Sequence, residues 1–403
     1  MKHFVIFFLM LINLRVASQS IVWSGFSDPA HQGTDAICWS HDGTRVFSGS
    51  ECPQSHIRMW SSQNGELLWD HLNDSTLECI LGVRLASNGL VFGAMEENGN
   101  LLIFDMSSTP QLIHQIDMES GGAAELDFSD DNQKIVATGS DDSLRIYDVT
   151  SGSLLNTIGG HTEAVLSVDY NSEGTMIASG AADGTVRIWN AADGASLAVL
   201  PFNGEDVNIV KFNTGNTKIL VGLSGGDLAI IDVGTSQSSV LTNIGSAVIC
   251  ADWSDDESAI VVGTISGIKI FSASDGALLR SFNINGGGSV SSVAYSHDGT
   301  NRVCSGHGNG AIVIWDQVLG VGEDTELSFG FYPNPVDDIL FLQIPNTRKF
   351  KYTVYSFDGR KLSSGNLNMN TSSISFQPYP AGTYILSITD GHTTKAVKIT
   401  KMD

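Results

Sequence analysis

The chain is rich in groups that do chemistry and poor in the spacings that chemistry needs. It has ten His, 44 Asp and Glu, and five Cys in 403 residues. Such side chains act as acids, bases, nucleophiles or metal ligands when a few of them converge. No P-loop, H-E-x-x-H or C-x-x-C spacing occurs. His41 and His297 stand in two copies of one segment, SHDGT at 40–44 and 296–300, so a repeated turn accounts for both. Ser129, Asp130, Asp131 and Asn132 gather carboxylates that suit calcium, but the twelve-residue loop with its closing Glu is missing. The cysteines, Cys38, Cys52, Cys79, Cys250 and Cys304, form no Cys/His cluster for zinc. Four of them fall in alternating apolar segments, where Cys acts as a small buried residue. The odd count leaves at least one thiol unpaired, and a pair involving Cys52 stays open. The expectation is therefore a protein that is not an enzyme, with no catalytic, cofactor-binding or metal-binding residue and no cofactor.

The elements that carry these residues are short strands. Residues 161–194 alternate apolar and polar positions, turn at Ser172-Glu173-Gly174, alternate through Met176–Ser179, turn at Asp183-Gly184, and run on through Val186, Ile188 and Trp189. A third turn follows at Asp193-Gly194, and 195–200 supplies a fourth strand. Period-two runs punctuated by Gly and Asp indicate antiparallel hairpins. A single four-stranded unit cannot bury both of its faces, so it needs neighbours. The series Trp60, Phe104, Tyr147, Trp189, Ile231, Phe271 and Trp315 supplies them, with steps of 44, 43, 42, 42, 40 and 44 residues. Four of these seven are followed by Asp. A repeat of about 40–45 residues with four strands marks a β-propeller.

These units resemble WD repeats, and residues 20–317 resemble a seven-bladed propeller of that family. His161, Ser179, Asp183 and Trp189 fall at the family's spacing for a buried hydrogen-bonded tetrad. Trp offers one N–H donor, His relays and the carboxylate accepts, so the polar core of a blade is satisfied internally. Other units depart from the pattern: Asn309 replaces the Asp in the seventh, Gly225 does so in the fifth, and Phe271 replaces the Trp in the sixth. One strand, 21–26, is surplus at the start and one is missing after Trp315. Ring closure resolves this if 21–26 serves as the outer strand of the last blade, which also removes exposed sheet edges. Segments 51–55 and 96–100 read as long loops at equivalent places, gathered on one face.

The two ends of the chain differ in kind. Lys2 and His3 precede an apolar run of eleven positions at 4–14, fewer than the roughly 20 needed to span a bilayer. Val16, Ala17 and Ser18 then suit a cut before Gln19, so 1–18 reads as a secretory signal peptide and no transmembrane segment is expected. Residues 19–326 hold 39 acidic and 11 basic residues, a balance of −28, whereas 327–403 hold 5 and 8, a balance of +3. The shift marks a boundary: a propeller over 19–317, a Gly- and acid-rich linker over 318–329, and a further domain over 330–403. The last domain alternates at 339–344, 351–357, 374–376, 383–389 and 395–400, as a small β-sandwich does. FYPNPVDDIL at 331–340, VYSFDGRKLSSG at 354–365, PAGTYILSI at 380–388 and KAVKITK at 395–401 resemble the type A C-terminal sorting domain of the type IX secretion system of Bacteroidota. The resemblance gives Tyr332, Pro333, Asn334, Pro335, Asp358, Gly359, Gly382, Tyr384 and Lys398 as its motif residues. It implies passage across the outer membrane by that machinery, removal of the domain, and release to the medium or tethering at the cell surface.

The fold class expected is all-β, a WD-type propeller plus a small sandwich. The acidic propeller has no basic stripe and repels phosphate backbones, so nucleic acid is excluded as a partner. Its function is expected to be that of an exported scaffold whose face holds a protein, peptide or glycan. The alternative is an extracellular hydrolase or lyase acting on glycans or peptides, which requires acids, bases or metal ligands to converge at the mouth of the channel.

Overall fold

A computed structural model describes residues 21–26, 34–50, 55–72, 79–118, 125–282, 289–315, 330–332, 336, 338–343, 350–356, 360–367, 372–389 and 394–402. The signal segment with Ser18 and Gln19, Cys52, the 318–329 linker, Pro333, Asn334, Pro335, Asp358 and Gly359 lie outside these residues. The described residues contain strands and turns and no helix. Among the described residues the protein is all-β, a propeller followed by a smaller β domain.

Between residues 21 and 315 the strands form seven four-stranded antiparallel sheets. Six are built from consecutive strands within 34–72, 80–117, 126–158, 165–201, 207–243, 250–282. The seventh joins Val290–Tyr295, Val303–His307 and Ala311–Trp315 to Ile21–Phe26, with Ile21 paired to Trp315 and Phe26 to Ala311. The first strand of each sheet packs beside the first strand of the next, and that of the seventh returns to Thr34–Trp39. Arg302 adds a clasp at this junction: its Nη2 donates to Gly43 O at 2.7 Å, and its guanidinium lies 4.9 Å from the Trp39 ring centre.

Burial follows position in the sheet. Second and third strands are covered on both faces, as Met176–Ala181 is, while fourth strands such as Leu67–Leu72 expose every other side chain to solvent. The residues of the recurring aromatic series, Trp60 to Trp315, are all buried third-strand positions. The close approach of one sheet to the next depends on small residues in the second strand. A Cβ on Gly180 would stand 2.5 Å from Val207 Cγ1, and one on Gly222 would stand 2.4 Å from both Ile209 Cγ2 and Val248 Cγ1.

First strands carry a register shift, between Val165 and Ser167 in the fourth sheet and at the same place in four others. Such an extra residue bends a strand and re-aims its side chains. The segment 96–100 is not the long loop expected from sequence. Glu96 ends one strand and is fully buried, Asn100 begins the next, and Asn100 Nδ2 donates to Glu96 Oε2 at 2.6 Å. A buried carboxylate that finds its donor four residues on closes a tight turn instead.

The C-terminal domain has two sheets. One orders Gly330–Tyr332, Ile339–Gln343 and Ser372–Ser375; the other orders Lys361–Leu367, Phe350–Ser356, Gly382–Thr389 and Thr394–Lys401. Leu340, Val354, Phe376, Leu386 and Ile399 fill its core. Lys361–Leu367 was not expected as a strand, because it lies at a sheet edge and buries only Leu367 fully.

Gly222→Ala is expected to lower the stability of the propeller by about 1–3 kcal/mol, since two branched side chains must give way. Thermal or denaturant unfolding checks it, and an unchanged midpoint would show that the sheets can move apart freely.

Candidate functional site

The site is the channel that the first strands enclose, together with its mouth. Each first strand has a penultimate residue, and around the ring these are Cys38, Arg84, Asp127, Asp169, Lys211, Asp252 and Ala294. Carboxylates and cations thus line the channel, where sequence reading assigned none. Arg84 is ion-paired to Glu125, and its Nε lies 3.8 Å from Asp127 Oδ1. Lys211 Nζ lies 2.9 Å from Asp169 Oδ1.

The same carboxylates hold the sheets together. Tyr170 N donates to Asp127 Oδ2 at 2.8 Å, Phe212 N to Asp169 Oδ2 at 2.7 Å, and Tyr295 N to Asp252 Oδ2 at 2.8 Å. In each case the donor is the last residue of the next sheet's first strand. Where the penultimate residue is not acidic, its backbone carbonyl can accept from a Trp of the next sheet instead: Trp253 Nε1 donates to Lys211 O at 3.1 Å and Trp39 Nε1 to Ala294 O at 3.0 Å. Two residues earlier, hydroxyls do the same work, with Val210 N on Ser167 Oγ at 3.0 Å and Ile37 N on Ser292 Oγ at 3.2 Å. Unpaired N–H groups on a sheet edge must find acceptors when buried, and here the preceding sheet provides them.

Burial dominates the acid–base behaviour of the channel carboxyls Asp169 and Asp127. It pushes Asp169 up to about 7, against the pull of the Lys211 ammonium, and raises Asp127 against Lys211 and Arg84. Burial and Arg84 oppose the charge on Lys211, but Asp169, Glu125 and Asp127 outweigh them and keep it a cation.

At the mouth, Trp39, His41, Asp127, Ser129, Tyr170 and His297 border an open cleft. His297 Nδ1 lies 2.7 Å from Asp255 Oδ1, and its Nε2 lies 3.8 Å from Asp252 Oδ2. At the 129–132 turn Asp131 is committed to local bonds, accepting from Ser129 Oγ at 2.6 Å and Gln133 N at 3.0 Å. Among the described residues no three His, Cys, Asp or Glu side chains are grouped to hold a metal ion. Residues 222–226 read GLSGG, the spacing of a nucleophile elbow. They join two antiparallel strands, and Ser224 Oγ accepts the Asp206 N–H at 3.1 Å, so the context of an elbow is lacking.

The four tetrad residues come together inside the fourth sheet. Trp189 Nε1 donates to Ser179 Oγ at 2.8 Å, His161 Nε2 lies 2.7 Å from that oxygen, and His161 Nδ1 lies 2.9 Å from Asp183 Oδ2. Burial holds His161 below its ordinary value despite Asp183. Burial pushes Asp183 up, but Thr185, His161 and the Thr162 N–H overcome it and hold the carboxyl low. The first and seventh sheets keep the Trp–Ser bond, Trp60 to Ser48 at 2.9 Å and Trp315 to Ser305 at 3.0 Å. In the seventh, the histidine comes from within the second strand: His307 Nε2 lies 2.9 Å from Ser305 Oγ, and its Nδ1 has no partner. Burial drives its value down to about 3. Cys38, Cys250 and Cys304 are free and buried, whereas Cys79 is disulfide-bonded.

Of the C-terminal motif residues, Tyr332 ends the first strand of the domain. Gly382 opens its strand at φ 154°, in a conformation that favours Gly. Tyr384 is buried, and its hydroxyl donates to Pro380 O at 2.5 Å. Lys398 is exposed on the final strand.

Comparison with family models agrees with both halves. Residues 114–148, 152–190 and 276–316 match the WD domain, G-beta repeat. Residues 330–402 match the secretion system C-terminal sorting domain. Among the described residues, no helix is long and apolar enough to cross a membrane.

Asp183→Ala leaves the buried His161 Nδ1 and the Thr162 N–H without their acceptor, and should cost about 1–3 kcal/mol. A melting temperature equal to that of the unaltered protein would contradict it. His307 sets a second expectation. Its folded value of about 3 lies below the ordinary value near 6.5, so the folded state binds fewer protons than the unfolded chain between those limits. Stability is therefore lost as pH falls through that window, and His161 adds a loss of the same sign. His307→Asn should make the acid limb of melting temperature against pH shallower, and an equally steep limb would rule the origin out.

Proposed function

We propose that this chain, which carries WD repeats and a type IX secretion sorting domain and is exported to the cell surface or medium, works there as a non-catalytic binding scaffold. The sorting domain engages the secretion machinery. The reading for the propeller is that its channel mouth holds a protein, peptide or glycan. One observation supports it above the others. The carboxylates of the channel, Asp127, Asp169 and Asp252, each accept a backbone N–H from the neighbouring sheet, so their placement follows from holding the ring together. A general acid or base needs freedom to meet a substrate proton, and these groups are occupied.

The enzyme reading draws on the same clustering. His297 sits between Asp252 and Asp255 at the mouth, and its side chain is 41% exposed. There an acid and a base stand together near solvent, and the place is equally a rim on which a polar ligand can rest.

The test uses the exported protein. It should retain a partner from cell-surface extracts, and His297→Ala should weaken that retention while leaving the melting temperature near that of the unaltered protein. Turnover of glycan or peptide substrates that disappears in His297→Ala would establish the enzyme instead. A separate measurement addresses the domains. The intact mass of the protein outside the cell should place its C-terminus within 319–329, and deletion of 330–403 should leave a folded propeller in the periplasm. Export undiminished by that deletion would reduce the domain to an accessory.

A further inference from the structure

The sorting domain does not only follow the propeller; it touches the sheet that closes it. Along Ile339–Gln343 the side chains alternate, and Leu340 and Leu342 are buried in the domain's own core. Ile339 and Phe341 therefore face away from that core. Ile339 is 47% exposed, as expected of an outward position. Phe341 is partly buried instead, because it packs against the apolar cluster shared by the sixth and seventh sheets, which includes Phe282 and Trp315. Those two rings lie 4.8 Å apart, centre to centre. Beside them, Gly330–Tyr332 runs along Ile21–Phe26 without joining its sheet. The strand contact falls on the seventh sheet and the Phe341 contact on the cluster that this sheet shares with the sixth; among the described residues the seventh is the one sheet of the seven assembled from distant parts of the chain.

We infer that the sorting domain docks on the closing sheet through Phe341, and that this seat is complete only once Ile21–Phe26 has paired with Ala311–Trp315. The reason is geometric. Before closure the strand beside Gly330–Tyr332 is absent and Trp315 lacks its partner across the ladder, Ile21. An open propeller then offers the domain half a seat, and a closed one offers all of it. The position of the address relative to its cargo thus differs between unfinished and finished propellers.

Hydrogen–deuterium exchange on the full chain tests the docking. Phe341→Ser should raise exchange several-fold in 21–26 and 330–332, while 165–201 keeps its protection. Ile339→Ser, on the same outward face but without the contact, should match the unaltered protein. Deleting 21–26 should produce the same rise in 330–332. Exchange in both segments that is unmoved by Phe341→Ser overturns the inference. If that variant instead loses protection throughout 350–401, small-angle scattering of the unaltered full chain decides. One compact particle supports docking, and two separately tumbling bodies overturn it.

Discussion

The propeller depends on backbone N–H groups at the inner edge of each sheet finding acceptors on the sheet before. An edge strand in the interior of a ring is beyond the reach of a further strand, and a buried N–H without a partner costs about 1–3 kcal/mol. Asp127, Asp169 and Asp252 each reach forward by one sheet to meet that need, and Ser167 and Ser292 do so two residues earlier in their strands. These bonds are possible only when sheets stand close together, and closeness is set by the absence of a side chain at Gly180 and Gly222. Packing, hydrogen bonding and ring closure are therefore one constraint seen at three points.

The constraint explains why the channel looks chemical. Carboxylates placed as acceptors are buried, and burying a charge is costly unless it is paired. Lys211 beside Asp169, and Arg84 beside Glu125 and Asp127, supply the pairing. Structural need is thus sufficient to gather acids and bases in the channel. The same argument applies on a smaller scale to the Trp189, Ser179, His161 and Asp183 chain, in which each polar atom is the solution to burying the one before it. At the mouth, by contrast, His297 is partly exposed.

Much of this was legible in the sequence, and the limits have physical causes. Alternation and the spacing of Trp60 through Trp315 revealed the repeat, because buried third strands tolerate only large apolar residues at that position. The tetrad was legible in the fourth unit because His161, Ser179, Asp183 and Trp189 stand at the spacing of the family the unit resembles. The channel ring was not, although Cys38, Arg84, Asp127, Asp169, Lys211, Asp252 and Ala294 follow nearly the same spacing. Its residue types are mixed, since a carboxylate, a hydroxyl or a Trp on the neighbouring strand can each close the junction. The one visible trace was Asp before an aromatic at 127–128, 169–170 and 252–253. His307 was hidden for a related reason: it meets Ser305 from within one strand, whereas His161 meets Ser179 from a preceding connection. The buried Glu96 was read as loop because a charged residue at a strand end gives no hint that Asn100 will satisfy it.

Closure ties the two ends of the propeller to the order of events in its life. Ile21 pairs with Trp315 across nearly the whole propeller, so the seventh sheet cannot form until the last third strand exists. The entropic cost of joining such distant residues grows only slowly with separation, so it does not forbid closure, but non-local pairing of this kind is slow. The junction is accordingly reinforced more than one way. Arg302 stacks on Trp39 and bonds Gly43 O, Ser292 accepts Ile37 N, and Trp39 donates to Ala294 O, all between the seventh sheet and the first. Closure must survive outside the cell with no second chance to refold in the compartment where it was made. A ring whose weakest seam is its last-formed one would fail there first, and these side-chain bonds hold the seventh sheet against the first.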